Sequence, residues 1–183
     1  VPGQIVKREV CEWLAAENHH VVADVERDVL HIAVVDRHKA TKSIGRAFVK
    51  GFGLKAGAIA STVAHDHHNI VVVGTNAADM LLAVKHLKAI GGGFVAVKNG
   101  RVVGDLRLEF AGLMSIEPAE AVVEKLDKLN RAVREELGVI IDAPFMQLSF
   151  ITLPTVPELG LTDKGLVDAR RYEIVDPVIE LKD

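Results

Sequence analysis

Between the apolar runs 58–63 and 70–74 the sequence places Ala64-His65-Asp66-His67-His68-Asn69. Three imidazoles, a carboxylate and an amide therefore share one connection between two strand-like segments, and such connections are where a rigid sheet positions reactive groups. Imidazole and carboxylate are transition-metal ligands, and an extended His65-x-His67 would aim two rings the same way. A complete centre needs further ligands, and downstream the chain offers only His86, expected on the exposed side of a helix. His65 and His67 are thus weak metal candidates, and no metal is expected to be required by this chain. A second reading is a polar turn in which Asp66 caps the backbone while His65 and His68 donate to nearby carbonyls. In a third, the loop faces a substrate or another domain's active site, and His65, Asp66, His68 and Asn69 are the pocket candidates. From the residues alone all three stay open.

Other features point to structure. Gly51-Phe52-Gly53 and Gly91-Gly92-Gly93 lack the Lys-Ser/Thr of a phosphate loop and the order of a dinucleotide fold, so they read as turns. Ser61 and Ser149 do not sit in a Gly-x-Ser-x-Gly elbow and read as strand residues. The single cysteine, Cys11, excludes an internal disulfide, and its neighbours Val10, Trp13 and Leu14 suggest a packed thiol.

The elements that must position the loop follow from periodicity. Residues 29–36 are apolar on both alternating faces, as in a strand covered on both sides. Residues 47–49 suggest a short strand leaving into a glycine-rich loop, and 58–63 and 70–74 two more buried strands. Asn76 is suited to cap a helix over 77–90, with Met80, Leu81, Ala83, Val84 and Leu87 on its apolar face and Gly91 as its stop. Residues 94–97 and 101–110 form a hairpin about the Asn99-Gly100 turn signal. Pro118 opens a second helix to Leu137, whose stripe includes Val122, Leu126, Leu129 and Val133 and which ends at Gly138. Val6, Val10, Trp13 and Leu14 suggest a short helix within 5–18. Residues 145–153 read as an apolar strand, followed by a polar tail with Thr162, Asp163, Gly165 and Asp168. The expected fold class is α+β, a mixed or mostly antiparallel sheet with two main helices packed on one face.

At 183 residues, 49% hydrophobic and 26% charged, the chain fits one globular domain. We expect an N-terminal segment at 1–28, the α+β domain at 29–175 and a tail at 176–183. A formal net charge of −3 gives no basic face for nucleic acid. Apolar runs fall far short of the ~20 residues that span a bilayer, so no membrane partner is expected and the protein reads as cytoplasmic. The opening Val-Pro-Gly-Gln-Ile-Val lacks an initiator Met and reads as the interior of a longer chain.

The order of segments carries further information. Asp36-Arg37-His38, Gly51 to Lys55, Gly57 to Ile70, Val73 to Asn76, Gly91 to Gly93, Ala111 to Ser115, Pro144 to Met146, Leu148 to Phe150, Leu153-Pro154 and Leu161 to Asp168 together resemble the C-terminal domain of microbial adenine deaminases, within the amidohydrolase superfamily. The resemblance runs from about Gln4 to Val175 and is weakest over 7–30. It implies an upstream barrel domain as this chain's partner, with adenine as the substrate of the parent enzyme. It also implies hydrolysis of adenine to hypoxanthine and ammonia in purine salvage, with a divalent metal, manganese or iron, in the barrel. None of the barrel's ligands is in this chain, which is expected to be inactive alone. The family is similar in carrying a small residue where this chain has His67. The contribution implied for His65, Asp66, His68 and Asn69 is to cover the barrel mouth or complete the purine pocket. The alternative from another class is a non-catalytic purine-binding or oligomerisation module, and a homo-oligomer is compatible with either.

Overall fold

The computed structural model describes residues 4–39 and 41–179. The first three residues of the expected N-terminal segment and the last four of the expected tail lie outside the described residues.

In chain order the elements are β1 (Ala16–Glu17), β2 (His20–Val21), β3 (Leu30–Val35), β4 (Ile44–Val49), β5 (Ala58–Ser61), β6 (Ile70–Gly74), α1 (Ala77–Ile90), β7 (Gly93–Lys98), β8 (Arg101–Arg107), α2 (Ala119–Leu137), α3 (Pro144–Ile151), β9 (Leu159–Thr162), β10 (Gly165–Asp168) and β11 (Glu173–Val175). The main sheet runs β4-β3-β6-β5-β7-β8 with every neighbouring pair antiparallel. The fold is α+β, as expected. Because β6 and β7 both pair antiparallel with β5, they run parallel to each other, and α1 joins them across β5 as a split βαβ unit.

The local signals for α1 and the hairpin hold. The Asn76 side chain accepts from the Asp79 amide at 2.8 Å, and Gly91 closes the helix in the left-handed region. Asn99 and Gly100 both have positive φ, 52° and 72°, the conformation a two-residue hairpin turn requires. α2 likewise ends on a left-handed Gly138.

The expectation that both helices share one face is corrected. α1 packs through Met80, Ala83 and Leu87 on Ala33, Ala58, Ala60, Val72, Val95 and Val97. Leu129, Val133 and Leu137 of α2, with Phe145 and Leu148 of α3, pack on Ile32, Val34, Ile59, Val71, Val73 and Ala96. Since successive strand residues point to opposite faces, the helices form layers on both sides. Small residues let α1 approach closely: a Cβ on Gly74 would stand 2.5 Å from Met80 Cγ. The two-sided apolar strands anticipated this, because a sheet covered on one face alone would alternate with polar residues.

Several local expectations also change. Residues 144–151 form α3 rather than a strand. Proline is suited to a helix's first turn, and Phe145, Leu148 and Ser149 are buried at helical spacing. Ser149 is therefore a helix residue whose hydroxyl faces the carbonyls of Phe145 and Val63, while Ser61 does lie in β5. The segment 5–18 is not helical. Its backbone pairs instead at Lys7, whose N–H reaches Pro157 O at 2.9 Å and whose carbonyl accepts from Glu158 N at 2.8 Å. Cys11 is exposed rather than packed. The polar tail is structured as the antiparallel sheet β11-β10-β9, in which buried Asp168 accepts from Arg170 and Arg171.

Candidate functional site

Four connections meet at one end of the main sheet, three of them its own and brought there by antiparallel pairing. These are residues 36–43 between β3 and β4, 62–69 between β5 and β6, 108–116 after β8, and the β9–β10 turn. The C-terminus of α3 closes the group through Thr152. This end carries the His65 to Asn69 loop.

His65 and Asp66 are exposed, His67 and His68 half-buried, and Asn69 buried. The sequence candidates thus divide into two that face solvent and others that look inward. The His65 amide donates to Ser149 O at 2.7 Å, and the His68 amide donates to Ala64 O at 2.9 Å. The His65 ring stacks on Phe150 with centroids 4.6 Å apart, and the His68 ring lies 6.3 Å from it. His68 holds a left-handed backbone, φ 50°, uncommon for a residue with a Cβ. Its buried Nδ1 has no hydrogen-bond partner.

His67 is tied down at both ring nitrogens. Its Nδ1 accepts the Asn69 N–H at 3.0 Å, so the proton of the neutral ring sits on Nε2, 3.3 Å from Thr152 Oγ1. Burial holds the His67 and His68 imidazoles below the ordinary histidine pKa, with the charge of Arg37 acting in the same direction at His68. Among the described residues no three His, Cys, Asp or Glu side chains converge to hold a metal ion. With His67 engaged at both nitrogens, the pair His65 and His67 does not fit a metal centre.

Residues distant in sequence hold the loop. Asn69 Oδ1 accepts from the Arg37 amide at 3.2 Å, and Asn69 Nδ2 donates to Asp163 Oδ1 at 3.4 Å. Asp163 also takes the Ser43 hydroxyl at 2.6 Å. The Arg37 guanidinium donates from Nε to His68 O and from Nη2 to Ala111 O at 2.9 Å, so one side chain binds two connections. His38 Nε2 donates toward the carbonyls of His67 and His68 at 2.9 and 3.1 Å. Asp36 orients His38 by collecting the amides of His38, Lys39 and Thr41 and the Thr41 hydroxyl. Those donors, the Thr41 hydroxyl first, hold its carboxyl well below the usual carboxylate range.

Sequence reasoning therefore found the presented loop and missed its holders, Arg37, His38, Thr152 and Asp163. The one local signal for them was the charged run Asp36-Arg37-His38 at a strand end. His86, expected on an exposed helix face, is half-buried and paired with Asp105 of β8. The arrangement presents an imidazole and a carboxylate on a braced loop, suited to hydrogen bonding with a polar ligand rather than to metal binding.

The family described as adenine deaminase C-terminal domain matches residues 4–173. Three relatives named adenine deaminase are similar: from Staphylothermus marinus, 48% identical over 95% of this chain; from Desulforamulus reducens, 51% over 98%; and from Gluconobacter oxydans, 50% over 96%. The chain spans 29%, 30% and 31% of these relatives' own lengths. With a match along nearly its whole length and about half its residues identical, the chain belongs to the adenine deaminase C-terminal domain family.

Proposed function

We propose that this chain is the C-terminal part of an enzyme of purine salvage in the cytoplasm. That enzyme would hydrolyse adenine to hypoxanthine and ammonia, with the His65 to Asn69 loop completing the purine pocket. The bond broken joins C6 to the amino nitrogen, water supplies the oxygen, and ammonia leaves. The divalent metal of the reading, manganese or iron, belongs to the region preceding this chain. The residues here do not fit it, and no step is assigned to them through it. Among the described residues no helix is long and apolar enough to cross a membrane.

One observation carries the reading. Braces from two other connections and from α3 hold a loop whose outermost side chains, His65 and Asp66, are exposed. A turn needs only Ser, Gly or Asn to close, so imidazole and carboxylate there favour a ligand. Adenine offers ring nitrogens that accept and N–H groups that donate. A neutral imidazole does both, and a carboxylate accepts.

The test is steady-state deamination by the full-length parent carrying His65→Ala, Asp66→Ala or His68→Ala. Losing one partner of a substrate polar group should lower kcat/KM by roughly tenfold to a hundredfold, with bound metal unchanged. Wild-type rates in all three would reduce the loop to a polar turn, and loss of metal would place it in the ligand sphere. The 183-residue chain alone should release no ammonia from adenine.

A further inference from the structure

The turn beside the loop has the opposite chemistry. Phe110, Met114 and Ile116 are 61%, 56% and 77% exposed, an apolar group on a short stretch that folding leaves uncovered. A mobile loop would fold such side chains back on the surface, but this turn is fixed. Phe110 and Met114 form an isolated antiparallel bridge, with Phe110 N donating to Met114 O at 2.9 Å. Thr62 Oγ1 donates to Gly112 O at 2.6 Å, and Arg37 ties Ala111 O to the histidine loop. Gly112, φ 70°, is seated so tightly that a Cβ there would lie 3.0 Å from Gly91 O. Rigidly presented apolar side chains mark a surface that something covers.

We propose that the 110–116 turn, led by Phe110 and Met114, is the surface by which this domain docks on the preceding region of its own polypeptide. The occupant follows from length. Relatives matched over 95 to 98% of this chain are covered over only 29 to 30% of their own length, so most of the parent polypeptide lies outside this domain and accompanies it in every molecule. The docking rests on the fixed, exposed turn and on family membership, not on the deamination reading. That it also seats His65 and Asp66 against the purine rests on the reading above.

Met114 and Phe110 report their own covering. Hydroxyl-radical labelling would be compared between the 183-residue chain and the full-length parent, with buried Met80, 9% exposed, as the slow internal reference. On docking, modification of Met114 and Phe110 should fall roughly fivefold or more, as side chains half-open to solvent become buried. Phe110→Asp in the parent should return Met114 toward the rate of the short chain while Met80 stays slow, which separates undocking from unfolding. Equal labelling of Met114 and Phe110 in the two proteins overturns the proposal. So does protection that rises with concentration in the short chain, which would assign the surface to a second copy. Because labelling does not depend on deamination, a failed activity test and a failed docking test remain distinguishable.

Discussion

At the end of the sheet where β6 runs into α1, polar groups close on one another. The buried Asp79 carboxylate accepts the amides of Asn99 and Gly100 and the Asn76 side chain, joining helix cap to hairpin. Burial opposes ionisation of that carboxyl, yet these donors hold its pKa below the ordinary value. Asp28 similarly takes the amides of Gly51 and Gly53. At the opposite end the same kinds of side chain are finished differently. Asn69, Asp163 and Arg37 satisfy one another and the backbone, but His65 and Asp66 are left outward at the same end as the exposed Phe110 and Met114. One end uses its carboxylates to complete the fold, and the other uses buried polar groups to hold exposed ones still. The first end is thus closed within the fold, whereas the second leaves side chains that the fold itself does not use.

Mutation should separate the two ends. Asp79→Ala strips a buried carboxylate from three donors and should cost about 2–4 kcal/mol of stability in denaturant unfolding of the 183-residue chain. His65→Ala and Asp66→Ala should leave that unfolding midpoint essentially unchanged while impairing the parent enzyme. If Asp79→Ala proves as mild as Asp66→Ala, the contrast between the ends fails.

Arg37→Ala should cost less, about 1–3 kcal/mol, concentrated in the two connections it joins. Amide exchange read by NMR should accelerate at His68, whose N–H bonds Ala64 O, before it does in β5 or β6. Arg37→Lys should restore little, because an ammonium does not reproduce the planar fork that reaches two carbonyls. Uniform acceleration across the sheet would instead make Arg37 a general stabiliser.

A smaller effect is expected with pH. The folded-state pKa values of His67 and His68 are lowered by burial. Below the ordinary imidazole pKa of about 6.5 the unfolded chain therefore binds more protons than the folded one. Stability contributed by these neutral rings is intact above that value and declines as pH falls through the lowered ones. Ring-nitrogen NMR should show both titrating below free histidine, and His67→Gln should weaken the acid dependence.

A last expectation concerns Lys7, away from both ends. It is buried, with Nζ 2.6 Å from Leu153 O, and burial lowers its pKa from 10.5 to about 8. The folded chain then releases its proton before the unfolded one does, so stability rises between pH 8 and 10.5. A Lys7 side-chain NMR midpoint near 10.5 would show that this segment does not dock as described.

Much of this was legible without coordinates. Asn76 with Gly91, Asn99-Gly100, and the stripe of α2 ending at Gly138 specify elements through interactions within a few residues, so local sequence settles them. The His65 to Asn69 run was legible for the same reason, since its composition is unusual for a turn wherever it sits. Residues 145–153 were not, because a short apolar run has no decisive period until it is known which of its sides are covered. The face each helix covers was equally hidden, since strands apolar on both sides accept a helix on either. Tertiary structure alone decided which residues brace the loop. Arg37, Thr152 and Asp163 stand 31, 85 and 94 residues from their partners; antiparallel pairing brings Arg37 to this end of the sheet, whereas Thr152 and Asp163 arrive through the packing of α3 and of the separate β9–β10 hairpin.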